Sequence, residues 1–366
     1  MAPNLPSVLV LGLGKVGSLT ARLLSDTGFK VTGASRSDKN LAGLETIGLD
    51  VSKPDELSQV MEGHWAVISC LPYHRNLAVA SAAHKLGIHY FDLTEDVTTT
   101  KAIIEMSGNA EAVMAPQCGL APGFIAMAGA ALAEGFDIIR SIRLRVGALP
   151  QNPTGLLGYA FNWSPEGVVN EYLNDCEVIE DGVRKRVSAL SWHENLVIAG
   201  QRLEAFTTSG GLGTMCDTYL GKVRNLDYKT IRYPGHQKLM NFFFHELLMR
   251  EDREKAGEIL VNAKPPVNQD VVYVHASVEG LRQGNLIRDE FVKAYYPLAI
   301  AGEPWRAISW TTAAGVCGVV ELVASGALPQ KGFLKQEEIP LQEFLKTSNG
   351  RLYDEKPHGG KLAGSQ

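Results

Sequence analysis

The sequence predicts an α/β fold in two parts: a domain built on a parallel sheet, then an α+β domain built on a mainly antiparallel sheet. Three observations carry this reading. Short β-rich runs alternate with helical patterns before Gly123, a glycine-rich turn follows the first of those runs, and after Gly123 most strand-like runs are separated by turns alone.

The first run, Ser7 to Leu11 (SVLVL), is continuously apolar, as a strand covered on both faces must be. A helix is expected at 16–27, a strand at 30–35 (KVTGAS), a third strand at 44–49, and a helix at 53–63. The pattern continues with a strand at 66–71 (AVISCL), a helix at 75–86, a strand at 89–93 (HYFDL), a helix at 98–107 and a short strand at 111–116. Helical crossovers of this length return the chain to start a parallel neighbour, so residues 1–122 form one domain. Residues 123–305 form the second, expected to bind substrate and to make a homodimer. Its elements are an alanine-rich helix at 124–134 and strands at 138–147, 155–159, 184–188, 203–208, 229–233 and 271–280. A small-residue apolar helix at 311–325, within a returning segment at about 306–335, is expected to pack back on the first domain. The glycine-rich stretch 358–366 reads as disordered.

Composition narrows the function. Net charge is −5, which gives no global basic surface for nucleic acid or an anionic membrane. Apolar stretches such as 124–132 fall short of the roughly 20 residues that span a bilayer. No charged leader precedes the first strand, which speaks against a secretory signal. Cys70, Cys118, Cys176, Cys216 and Cys317 include no C-x-x-C pair, so neither a metal site nor a disulfide framework is expected. Free thiols in the cytoplasm fit best.

Gly12-Leu13-Gly14-Lys15-Val16-Gly17 is a G-x-G-x-x-G placed between a strand and a helix. Gly12 permits a tight turn, Gly14 lets the backbone approach a pyrophosphate, and Gly17 lets helix and strand pack closely. The helix start offers free N–H groups and a positive dipole end, and Lys15 and Val16 belong to the same cradle. This is the signature of a Rossmann-type dinucleotide site. At the end of the second strand stands Ser35-Arg36-Ser37, with no acid before Asp38. A guanidinium pairs with the 2′-phosphate of NADP, where an acid would take the ribose hydroxyl of NAD. NADP is expected, with NAD second. Asp50 is an adenine neighbour or only a helix cap, and Leu71 and Pro72 border the cofactor at the end of the fourth strand.

Further motifs bring a family into view. Gln117 to Phe124 (QCGLAPGF) resembles the Gly-x-x-Pro-Gly junction of the saccharopine dehydrogenase superfamily. Within that superfamily, 203–211 (LEAFTTSGG) and 226–236 (LDYKTIRYPGH) resemble the lysine 6-dehydrogenases. The resemblance implies oxidation of an amine at carbon, or reduction of the imine. Two positions depart from it. Ala121 stands where glutamate-forming saccharopine reductases carry an Asp implicated in proton transfer, which speaks against saccharopine. Arg36 stands where lysine 6-dehydrogenases place an acid, which speaks against NAD.

An amino-acid substrate requires a counter-charge, and Arg232, with Tyr233 beside it, is the candidate clamp for its carboxylate. Thr208 and Ser209, before Gly210-Gly211, offer further donors. Amine oxidation requires a base, for which His236 and Asp92 are alternatives, with Tyr73 after the fourth strand as a third catalytic candidate. Glu95 and Asp96 read as solvated, and Trp163 as a pocket wall. The expected activity is NAD(P)-dependent oxidation of the ε-amine of lysine or a lysine-like amino acid. The alternatives are reduction of a saccharopine- or carboxyspermidine-type imine, and a regulatory protein that binds NADP without turnover.

Overall fold

The computed structural model describes residues 5–37 and 40–354, so Asp38 and the stretch expected to be disordered lie outside the described residues. The first domain holds β1 (Ser7–Leu11), α1 (Lys15–Thr27), β2 (Lys30–Ser35), β3 (Glu45–Gly48), α2 (Pro54–Met61) and β4 (Ala66–Ser69). It continues through α3 (Tyr73–Leu86), β5 (His89–Asp92), α4 (Val97–Met106) and β6 (Val113–Ala115). The strands pair in parallel in the order β3-β2-β1-β4-β5-β6. Chain order reverses between β1 and β4, and ligands bind such sheets in the crevice outside that point.

The second domain opens with α5 (Phe124–Ala133) and β7 (Ile138–Pro150), then α6 (Pro165–Leu173), β8 (Cys176–Glu180), β9 (Val183–Val187), β10 (Glu194–Ile198) and β11 (Gln201–Thr207). It proceeds through α7 (Met215–Tyr219), β12 (Val223–Arg232), α8 (His236–Asn241), α9 (Arg253–Ala263), β13 (Asp270–Arg282) and β14 (Asn285–Tyr295). Its sheet runs β10-β11-β12-β7-β13-β14, with β8 and β9 branching from β12. Among the described residues of this sheet, only β7 and β12 pair in parallel. A small hairpin, β15 (Leu298–Ile300) and β16 (Glu303–Trp305), leads into α10 (Ala307–Ala324), β17 (Gly332–Phe333) and α11 (Leu341–Lys346).

α10 lies along α1, and β17 adds to β6 as the outermost strand of the first sheet. α10 is long and apolar enough to cross a membrane, but 78% of it is buried inside the fold. One apolar core joins the domains, running from Val8 and Val10 through Phe124 and Val316 to Leu144 and Val274. The strand expected at 155–159 does not form. Gly155 and Gly158 take φ of +65° and +55°, which break an extended run. The strands β8, β10 and β14, and the helices α6 and α9, were not foreseen from the sequence.

Candidate active site

The cofactor cradle follows from the three glycines. Gly12 has φ +91° and donates its amide to Ala34 O, while a Cβ there would meet the Cys70 carbonyl oxygen at 2.9 Å. A Cβ on Gly17 would lie 1.9 Å from Gly12 O, so strand and helix touch only without a side chain. Gly14 faces open space and caps α1 without any side-chain hydrogen bond, which leaves the helix N–H groups for an anion. Burial and neighbouring Arg306 hold the Lys15 amine below its ordinary value. Arg306 bonds Asn268 Oδ1 through Nε and Nη2, and its Nη1 is buried without a partner. Two cations with a spare donor beside an open glycine turn fit a dinucleotide's phosphates.

Arg36 and Ser37 are exposed at the end of β2. The Ser35 hydroxyl is spent on Ser37 O at 2.5 Å, so Arg36 is the stronger candidate for a 2′-phosphate. Asp50 accepts from Ser52 N and Oγ at 3.0 and 2.7 Å, and these bonds hold its carboxyl below the ordinary range. It shapes the turn before α2 and does not line the cleft, and it makes no cap bond to that helix, whose N-cap is Lys53 without a side-chain hydrogen bond.

A cleft of about 500 Å³ runs from Gly14, Lys15, Val16 and Gly17, past Leu71, Pro72 and Tyr73, to the second sheet. The loop Leu93 to Glu95 and the junction Gly119 to Pro122 line its middle, with Trp163 on the wall. Tyr228, Thr230 and Arg232 alternate along β12 and therefore share the face that closes the far end. Arg232 is 2% exposed and its guanidinium bonds only neutral oxygens: Tyr172 Oη at 2.7 Å, Thr230 Oγ1 at 2.7 Å and Ile231 O at 2.8 Å. It also lies over the Tyr159 ring, 4.6 Å from the centroid. A buried cation held by neutral groups at a cleft wall is suited to an anionic ligand.

Several expected site residues stand elsewhere. Tyr233 follows Arg232 directly and so points to the opposite side, where its hydroxyl donates to Pro150 O at 2.8 Å. His236 is 1% exposed. Its Nδ1 donates to Leu157 O at 3.0 Å, which leaves Nε2 to accept from Tyr172 Oη at 2.9 Å. Burial and nearby Arg232 push the imidazole down to about 3, so it stays neutral and supports Tyr172 from behind. Asp92 is fully buried and accepts from Tyr90 Oη, Thr94 N and Gln117 N at 2.6, 2.9 and 3.0 Å. Burial pushes it up to about 6, but it does not line the cleft, and its three bonds tie the β5 loop to the junction. Thr208 is buried with its hydroxyl unpartnered and does not line the cleft. Ser209 lines a side chamber, and its amide holds Glu171 O at 3.1 Å. Tyr73 does line the cleft, its hydroxyl accepting from Asn170 Nδ2 at 3.2 Å.

The carboxylates that reach the cleft are Glu95, which the sequence reading left in solvent, and Glu171, which it passed over. Burial pushes Glu95 up to about 7, and burial with Glu95 nearby pushes Glu171 up to about 8. Glu171 was legible through α6: Ser164 accepts from Gly167 N as an N-cap, Pro165 takes the first turn, and Val168, Val169 and Tyr172 form an apolar face. Glu171 lies on that face's flank.

Residues 8–115 match the family model described as the saccharopine dehydrogenase NADP binding domain, and residues 119–355 match the saccharopine dehydrogenase C-terminal domain. A saccharopine dehydrogenase [NADP(+), L-glutamate-forming] of Pyricularia oryzae is 30% identical over 189 residues, 48% of this chain and 42% of the relative. The enzyme of the same name from Schizosaccharomyces pombe is 27% identical over 192 residues, 49% of this chain and 43% of the relative. The matches thus span less than half the length of these curated relatives. Among solved structures, apo saccharopine dehydrogenase (L-Glu forming) from Saccharomyces cerevisiae covers 93% of this chain and 95% of its own, with TM-score 0.71 and 17% identity. An engineered D-amino acid dehydrogenase bound to NADP+ aligns over 95% and 98%, with TM-score 0.50 and 12% identity. These two likenesses are of fold. With both family domains matched in order across almost the whole length, the chain belongs to the saccharopine dehydrogenase family.

Proposed function

We propose that this chain exchanges hydride between NADP and the carbon of a C–N bond in an amino acid, with lysine or a lysine-like amine as substrate. The carrying observation is Arg232, buried, bonded only to neutral oxygens, and open to the cleft that begins at the glycine turn. Its fork holds the substrate carboxylate, while Tyr172 and Thr230 fix its plane. Bound NADP supplies the hydride acceptor or donor. Proton transfer is assigned to Glu95, which stands in the loop after β5 and, pushed up to about 7, is poised near neutral pH.

A second reading is reduction of a larger, saccharopine-type imine. The names of the curated relatives favour it, as does the side chamber of about 460 Å³ that adjoins the cleft.

An amine and imine panel followed at the nicotinamide absorbance tests the reading. Lysine deuterated at the ε-carbon should show a primary isotope effect when hydride transfer limits the rate, and α-deuterated lysine none. Arg232→Lys should raise KM for the amino acid and leave the corresponding diamine unaffected. An equal effect on both would remove Arg232 from carboxylate recognition.

A further inference from the structure

We propose that the side chamber beyond Tyr73 binds a second, cationic nitrogen of the substrate, with Glu171 as its anchor. The proposal rests on the cleft being the substrate site. Tyr73, Glu95 and Glu171 line both spaces and mark the passage between them.

The charges around the chamber do not balance. Glu95, Asp96, Glu171, Asp175 and Glu177 face it, against Lys101 and Arg186. Glu177 is neutralised by Lys101 at 3.3 Å and by Arg184, and Asp96 is spent on the first turn of α4, accepting from Thr99 N at 2.6 Å. The acidic groups that face the chamber without an ion-pair partner among the described residues are therefore Glu95, Asp96, Glu171 and Asp175, against Arg186. Glu171 is the decisive member. It is 7% exposed, and its carboxylate makes no hydrogen bond or ion pair with the described residues, although its backbone is fastened to Ser209. The positive charge that acts on it is that of Arg232, which lies beyond ion-pair distance and has been assigned to the carboxylate.

A buried carboxyl without a partner stays protonated, pushed up to about 8, until a cation arrives to hold it ionised. Among the described residues no group of three or more acidic, His or Cys side chains could hold a metal ion, and the cation proposed is an organic ammonium. The walls are preset for it: Arg253 Nη1 clamps Asn170 Oδ1 and Asn174 Oδ1 at 2.7 and 2.9 Å, and Asn170 in turn holds Tyr73. A substrate that fills both spaces carries its carboxylate on Arg232 and an additional ammonium at Glu171. Amino acids with neutral or acidic tails are therefore disfavoured.

The test is calorimetric titration of the full chain, saturated with NADP, with n-butylammonium, 1,4-diaminobutane and n-butanol. The two ammonium probes should bind and n-butanol should not. Glu171→Gln should weaken both by about tenfold or more, the loss of one charge-assisted bond, and Asp175→Asn by less. Arg232→Lys should leave n-butylammonium unchanged. Equal binding of n-butanol and n-butylammonium, or ammonium binding that ignores Glu171→Gln in a variant that melts at or above wild type, overturns the proposal. Ammonium binding that depends on Glu171 in a protein without NADP-linked turnover would sink the proposed reaction and leave the chamber standing. Turnover without such binding does the reverse.

Discussion

The Tyr172 hydroxyl accepts a hydrogen bond from Arg232 Nε at 2.7 Å and donates one to His236 Nε2 at 2.9 Å. The relay ends on Leu157 O, so the imidazole orients the phenol and the phenol orients the guanidinium. Tyr172→Phe should leave Nε buried and unmet, a loss of about 1–3 kcal/mol in stability. KM for the amino acid should rise more than kcat falls. His236→Ala should also lower Tm but keep the wild-type pH profile of kcat between roughly pH 6 and 9, since a group held near 3 does not titrate there. A flattened limb would restore His236 as the base. Because its folded value is below the ordinary 6.5, wild type loses stability as pH falls from 6.5 toward 3, and the alanine variant should lose less.

Glu171 gives the opposite sign. Its folded value, about 8, is above the ordinary 4.5, so its contribution is present below 4.5 and lost as pH rises through 8. Glu171→Gln should therefore melt close to wild type at pH 5 and increasingly above it toward pH 9. Thermal melts without cofactor at these pH values check this, and a Tm gap that does not grow with pH contradicts it.

Arg36 is the residue proposed to decide cofactor choice. NADP(H) should bind more tightly than NAD(H), and Arg36→Asp should reverse the order. The pair to the 2′-phosphate is expected to contribute about 1.5–3 kcal/mol, or ten- to hundredfold in Kd. Fluorescence titration of both cofactors tests it, and equal constants in wild type would refute the assignment.

Two glycines of one motif should fail differently. Gly17→Ala places a methyl 1.9 Å from Gly12 O and should lower Tm by several degrees, with NADP affinity lost as a consequence. Gly14→Ala meets nothing within 4 Å, so Tm should hold while NADP affinity falls where the methyl meets the pyrophosphate. Comparing melts with cofactor titrations separates these outcomes.

The first domain was legible almost throughout because apolar runs and glycine spacing are local signals. Arg232 was legible for the same reason, being the last residue of a recognisable strand. Pairing it with Tyr233 as a second substrate contact ignored the alternation that sends neighbours in a strand to opposite faces. His236 and Asp92 carry the right chemistry but are sealed by tertiary contacts to Leu157, Tyr90 and Gln117, which sequence spacing does not reveal. Glu95 looked solvated because its neighbours are polar. It is covered by Gly167 and Gly210, whose missing side chains let the second domain close over it.

The closing of the first sheet by β17, and of the α1 surface by α10, carries a consequence for synthesis of the protein. The stretch translated first has a bare β6 edge and an uncovered apolar helix until residues 307–333 have emerged. All of β7 to β16 must be made in the interval. A nascent chain halted before Ala307 would therefore present an unpaired strand edge to its neighbours, a template for aggregation that the finished fold conceals.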